Sequence, residues 1–186
     1  MIKLTEYTSG GAALIDLCRG VTEHAEALGS ADLVGAEHVP EPFRDLLVHD
    51  EHMTLRLARH YGRPVELEVL RETRSDDVYR REIVLRPSGS DEVVEYGVVR
   101  IDLGFTDESV KSEITERTAP LGDILVRHDV LRRVQPHWYF RFAADSPVAR
   151  AFGDGVAKDV FGRVGTIYCN EAPAIELLEV VSGSRR

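Results

Sequence analysis

Three charged side chains sit where apolar alternation asks for hydrophobic ones: Arg81, Glu176 and Glu179. In Val78-Tyr79-Arg80-Arg81-Glu82-Ile83-Val84-Leu85 the residue types suit a half-buried strand. Alternation puts Arg81 on one face with Tyr79, Ile83 and Leu85, and leaves Arg80, Glu82 and Arg86 on the other with Val78 and Val84. A buried guanidinium must meet a carboxylate or several acceptors, because an unpaired buried charge is costly. One reading is an internal salt bridge. The other is a clamp for an anionic ligand, whose carboxylate accepts two parallel hydrogen bonds. In the final strand Glu179 shares a face with Ile175, Leu177 and Val181, whereas Glu176 shares the other with Ala174, Leu178 and Val180. One of the two can bridge to an arginine or lie at an edge. The other can be a pocket carboxylate whose pKa burial raises into a range useful for proton transfer.

Other constellations carry less. His49-Asp50-Glu51-His52 does not have the helical His-Glu-x-x-His spacing of a zinc site or its inverse, and no further ligands are identifiable, so no metal is expected. Asp50 or His52 is a candidate cap for a helix starting near Met53. Glycine-rich phosphate loops and nucleophile elbows are absent from the sequence, and Gly153-Asp154-Gly155 reads as a loop. Arg132-Arg133 and Arg185-Arg186 read as solvated pairs. The net charge of −9 argues against non-specific nucleic-acid binding but not against a small anion held by a local arginine. Cys18 and Cys169 have no redox or metal spacing and read as free buried thiols in a reducing compartment. The first residues lack the apolar stretch of a signal peptide, and no run approaches a membrane span, so a cytoplasmic protein is expected.

The elements that must position these residues follow from periodicity. One domain is expected over 1–186, with a helical extension over 1–40 and a core over 42–181. Ser9 is expected to cap a helix running to about Leu28, and the segment to Pro40-Glu41-Pro42 to be irregular. Phe43–Tyr61 is helical in character and stops at Gly62. Strands at Pro64–Glu72, Val78–Leu85 and Val93–Leu103 make an antiparallel meander, since the connections are too short for parallel crossovers. Thr106 or Asp107 caps a short helix, Ala119-Pro120-Leu121-Gly122 leads into another, and Asp129–Phe142 contains a strand. Ser146-Pro147 opens a short helix. Strands at Arg163–Cys169 and Pro173–Val181 pair across Asn170-Glu171-Ala172, and a polar tail covers Ser182–Arg186. The fold class is α+β, a mostly antiparallel sheet with helices packed on one face.

Leu46-Leu47, Met53-Thr54, Arg81-Glu82-Ile83, Ala119-Pro120-Leu121-Gly122 and Leu178-Glu179-Val180 occur in an order that resembles the chorismate pyruvate-lyase superfamily, in its divergent 4-hydroxybenzoate synthase branch. The resemblance covers roughly Pro42 to Val181. It implies a chorismate lyase-like fold and a cofactor-independent, metal-free lyase that splits chorismate into 4-hydroxybenzoate and pyruvate. Arg81 then matches the arginine that grips the aromatic carboxylate. Glu179 or Glu176, depending on register, matches the glutamate at the hydroxyl end of the ring and assists proton transfer. Met53, Leu121 and Gly122 match positions lining the ligand pocket. Two alternatives accompany this expectation. A chorismate-cleaving enzyme can yield a different hydroxybenzoate. A protein of the same fold can instead bind a small aromatic acid without catalysis, as sensor domains do. The forty residues before the shared region are too few and too acidic for a DNA-binding helix-turn-helix, which weighs against a regulator and leaves a free-standing binding protein as the alternative. Oligomeric state is not indicated.

Overall fold

A computed structural model describes residues 3–153 and 158–183. The Gly153-Asp154-Gly155 loop beyond its first residue, and the tail from 184 with Arg185-Arg186, lie outside them. The chain runs through α1 (Gly10–Cys18), α2 (Ala25–Leu28), β1 (Asp32–Val34), α3 (Phe43–Leu47), α4 (Met53–Tyr61), β2 (Val65–Ser75), β3 (Val78–Pro87) and β4 (Glu95–Asp102). It continues through α5 (Glu108–Thr115), α6 (Leu121–Arg127), β5 (Arg132–Phe142), α7 (Pro147–Arg150), β6 (Val160–Cys169) and β7 (Ala172–Val181). The strands form one antiparallel sheet in the order β1-β5-β6-β7-β4-β3-β2.

Local chemistry explains most of the turns. β2 and β3 join across Asp76-Asp77, with Asp76 in the left-handed region that a short polar side chain tolerates. Asn170 and Glu171 both have positive φ, as a two-residue hairpin between twisted strands requires. Asp107 accepts from the backbone N–H groups of Ser109 and Val110 and so caps α5, while Ser146 Oγ accepts from Ala149 N at the start of α7 with Pro147 behind it.

The expected α+β sheet with helices on one face is present. α3, α4, α5 and α6 cover the face that carries Tyr79, Ile83, Leu85, Val99, Ile101, Leu177 and Val181. The N-terminal extension adds a layer on the opposite face. There Leu14, Leu17, Val21 and Leu28 pack with Val84, Tyr96, Val98, Leu178 and Val180, and α7 joins them. This extension departs from the single helix expected over Ser9–Leu28. α1 ends at Cys18, because Arg19 is extended and Gly20 has φ of 83°, and the chain turns before α2. Ser9 stands at the cap position but makes no side-chain cap bond. Within the segment expected to be irregular, Asp32–Val34 pairs with the outer edge of β5. Among the described residues no helix is long and apolar enough to cross a membrane.

Candidate functional site

The register of the inner strands assembles the site. Arg81 on β3 lies opposite Val99 on β4, which lies opposite Leu177 on β7. Two residues along, Ile83, Gly97, Glu179 and Arg163 form the next row, and after it Leu85, Glu95, Val181 and Phe161. All three rows face α4 and α6. A cavity of about 50 Å³ lies between them, lined by Arg81, Ile83, Glu95, Leu177 and Glu179 from the sheet and by His52, Met53, Thr54, Leu121 and Gly122 from above.

Arg81 is 1% exposed. Its Nε and Nη1 have no hydrogen-bond partner among the described residues. Burial pushes the guanidinium pKa down. A hydrogen bond to Tyr79 and the charge of Glu72 oppose that push. The Tyr79 hydroxyl itself donates to Glu72 Oε2 at 2.6 Å, and burial together with that carboxylate raises its pKa to about 12. Arg81 is therefore not neutralised by a direct ion pair in the way Arg100 and Arg163 are. It stays charged, since a guanidinium does not deprotonate in proteins, and it leaves strong donors unused inside a cavity.

The far end of the cavity is acidic. Glu179 Oε2 accepts from Arg163 Nε at 2.6 Å. The remaining donors of Arg163 go to backbone carbonyls of Leu47 (3.1 Å), His49 (2.7 Å) and Glu51 (3.2 Å), so one buried arginine ties Glu179 and the α3–α4 connection to the sheet. Glu95 is also buried, and its Oε2 has no partner among the described residues. Desolvation and the neighbouring Glu179 drive its pKa well above the usual carboxylate range, and Arg163 offsets this only in part.

Of the residues singled out in the sequence, Arg81, Met53, Leu121, Gly122 and Glu179 line this cavity. Glu176 does not. It faces the opposite side of the sheet, three residues from Glu179 and so of opposite pleat. There it accepts from Arg100 Nε at 2.7 Å and from the Leu4 backbone N–H at 2.6 Å, while Asp16 takes Arg100 Nη1 at 2.7 Å. That buried network fastens the N-terminal extension to the sheet. Gly122 is needed for close approach, because a Cβ there would lie 2.4 Å from Thr54 Oγ1.

His49 and His52 turn to different partners. His49 Nε2 donates to the Leu46 carbonyl at 2.7 Å, and its Nδ1 accepts from Glu51 N at 3.1 Å. His52 occupies the cap position of α4 without a side-chain cap bond, and its Nε2 accepts from Arg132 Nε at 2.8 Å. Both pKa values are lowered, by burial first and then by Arg163 for His49 and Arg132 for His52. Arg132 is thus a partner of His52 rather than a solvated arginine. Among the described residues no three metal-ligating side chains converge.

Sequence reading missed Glu95 and Arg163. Both carried the signal that flagged Arg81. Glu95 alternates with Gly97, Val99 and Ile101, and Arg163 with Phe161, Gly165 and Ile167.

The antiparallel sheet with helices packed over its cavity is a chorismate-lyase-like fold. Solved structures that share it include two of PhnF. PhnF from Mycobacterium smegmatis aligns with a TM-score of 0.51 at 12% identity, over 70% of this chain and 63% of that one. The effector domain of the same PhnF aligns with a TM-score of 0.52 at 13% identity, over 70% of this chain and 87% of that one. The match thus spans less than two thirds of the longer PhnF chain. At such identities the likeness is one of fold. No family model and no curated protein matches the sequence.

These findings correct the lyase expectation. The fold is shared with the effector domain of PhnF. Of the two carboxylates expected to serve proton transfer, Glu176 lies across the sheet and Glu179 is engaged by Arg163. Chorismate as substrate, 4-hydroxybenzoate and pyruvate as products, and the catalytic roles of Arg81, Glu176 and Glu179 are therefore withdrawn.

Proposed function

We propose that this chain is a non-catalytic, sensor-like protein that binds a small organic acid, an aromatic acid in the simplest case, in the Arg81 cavity. One observation carries the reading. Arg81 is almost wholly buried, yet two of its donor nitrogens lack a partner among the described residues. Leaving a buried donor unmade costs about 1–3 kcal/mol, more when it is charged. A carboxylate on Arg81 offsets that cost with charge-assisted hydrogen bonds. Ile83, Leu177, Met53 and Leu121 supply apolar walls for the rest of the ligand. The likeness to an effector domain supports the same class of function.

Size sets a condition. About 50 Å³ is a third of the roughly 150 Å³ that admits benzene in a protein core. An aromatic ring therefore enters only as α6 and the start of α4 shift outward. The test is calorimetric titration with benzoate, using the intact chain and its Arg81→Met variant. Saturable binding that the variant loses supports the reading, and equal binding by both proteins removes it.

A further inference from the structure

The cavity holds a second buried polar group with an unsatisfied atom, Glu95, and it lies well away from Arg81. On β4, Glu95 stands four residues from Val99, the partner of Arg81, and on the same face. At about 3.4 Å per residue the two backbone positions are roughly 14 Å apart along the sheet. The two side chains reach into the gap from its ends, and Ile83 packed over Gly97 makes the floor between them.

The groups facing Glu95 determine what it can do. Glu179 lies diagonally across on β7, and Arg163 lies beyond it on β6. Arg163 spends its Nε on Glu179 and its other donors on three carbonyls. His49 and His52, in the connection above, are held neutral by the partners described for each. Among the described residues no cation is left to pair with Glu95. A carboxyl buried in that setting keeps its proton and becomes a hydrogen-bond donor, which an ionised carboxylate is not. Glu179, engaged by Arg163 in a salt bridge, offers acceptors at the same end.

We propose that Glu95 is the specificity-determining residue of the cavity, donating a hydrogen bond to a neutral carbonyl-type oxygen at the end of the ligand remote from Arg81. The ligand class is then a monocarboxylic acid bearing an aldehyde, ketone or amide oxygen at its far end. Dicarboxylic acids are rejected, because a second carboxylate would meet the Glu179 charge. A hydroxyl group is a poor discriminator, since it can donate to Glu179. A carbonyl can be satisfied at that end only by a donor, and Glu95 is the one that the sheet presents there.

This inference rests on the anion-clamp reading of Arg81, and the experiment separates the two. Benzoate, 4-formylbenzoate and terephthalate share one ring and differ at the position opposite the carboxylate. Their affinities are measured by calorimetry for the intact chain and for Glu95→Leu, Glu95→Gln and Arg81→Met. In the intact chain 4-formylbenzoate binds roughly fivefold tighter than benzoate, the worth of one neutral hydrogen bond. Terephthalate binds more weakly than benzoate. Glu95→Gln retains an N–H donor and keeps the preference. Glu95→Leu fills similar space without a donor and brings the formyl-to-hydrogen ratio to one. If that ratio is unchanged in Glu95→Leu while Arg81→Met abolishes benzoate binding, the Glu95 role is wrong and the clamp stands. If the intact chain binds none of the three acids, or Arg81→Met binds benzoate normally, both are overturned.

Discussion

Replacing Arg81 with methionine should make the ligand-free protein more stable. Arg81 is 1% exposed, and two of its nitrogens have no partner among the described residues. Exchanging a buried ionic group for an apolar one of similar volume stabilises by about 1–4 kcal/mol where the charge was poorly compensated. Loss of the hydrogen bond to Tyr79 takes back about 1 kcal/mol. A net gain of up to roughly 3 kcal/mol remains, and in a chain of 186 residues this corresponds to a rise in Tm of up to about 10 °C. Thermal unfolding followed by circular dichroism, without added organic acid, measures it. The same variant must lose benzoate binding, so that stability and binding move in opposite directions, as expected where a strained site is kept for its ligand. A Tm lowered by several degrees would show that Arg81 is a structural charge with adequate internal partners, and the reasoning would fail at its first step.

Further outcomes follow from the same geometry. Glu95 has a folded-state pKa well above its unfolded value, so its contribution to stability is complete below the ordinary glutamate range and is lost as pH rises toward the folded value. Glu95→Gln removes that loss: its stability advantage over the parent should grow between pH 4.5 and 7 by at most about 1.4 kcal/mol per pH unit, and a pH-independent difference in denaturant midpoints would contradict it. Glu176→Gln should lower stability by about 3 kcal/mol, because it strips a buried partner from Arg100, yet leave benzoate affinity within twofold. A large loss of affinity there would mean that Glu176 communicates with the cavity. Gly122→Ala should destabilise by about 1–3 kcal/mol through the clash with Thr54 Oγ1, and adding Thr54→Ala should recover most of it; independent, additive losses would place the strain elsewhere.

Much of the fold was legible because its determinants are local. The alternation from Val78 to Leu85 placed Arg81 among buried residues, and short polar connections required an antiparallel meander. Ser146-Pro147 marked α7 and Asp107 marked α5. Alternation also separated Glu176 from Glu179. Which of them shares a face with Arg81 depends on β7 pairing with β4, a contact across some eighty residues that leaves no local trace. The N-terminal break at Arg19-Gly20 was hidden because the apolar stripe continues past it, and Val21 and Leu28 pack in the same cluster as Leu14 from a separate helix. β1 is three residues long and borrows its structure from the edge of β5. Glu95 was readable by the rule that found Arg81. The carboxyl lies in a cavity covered by the starts of α4 and α6 as well as by the sheet, and only the assembled cavity shows that among the described residues no cation pairs with it.

The central claim is that Arg81 waits in its cavity for a carboxylate, and titration of benzoate into the intact chain and Arg81→Met tests it most directly. The expected result is saturable one-to-one binding to the intact chain, weakened on the order of a hundredfold or more in the variant, the worth of a charge-assisted hydrogen bond or two. Indistinguishable isotherms for the two proteins would contradict it.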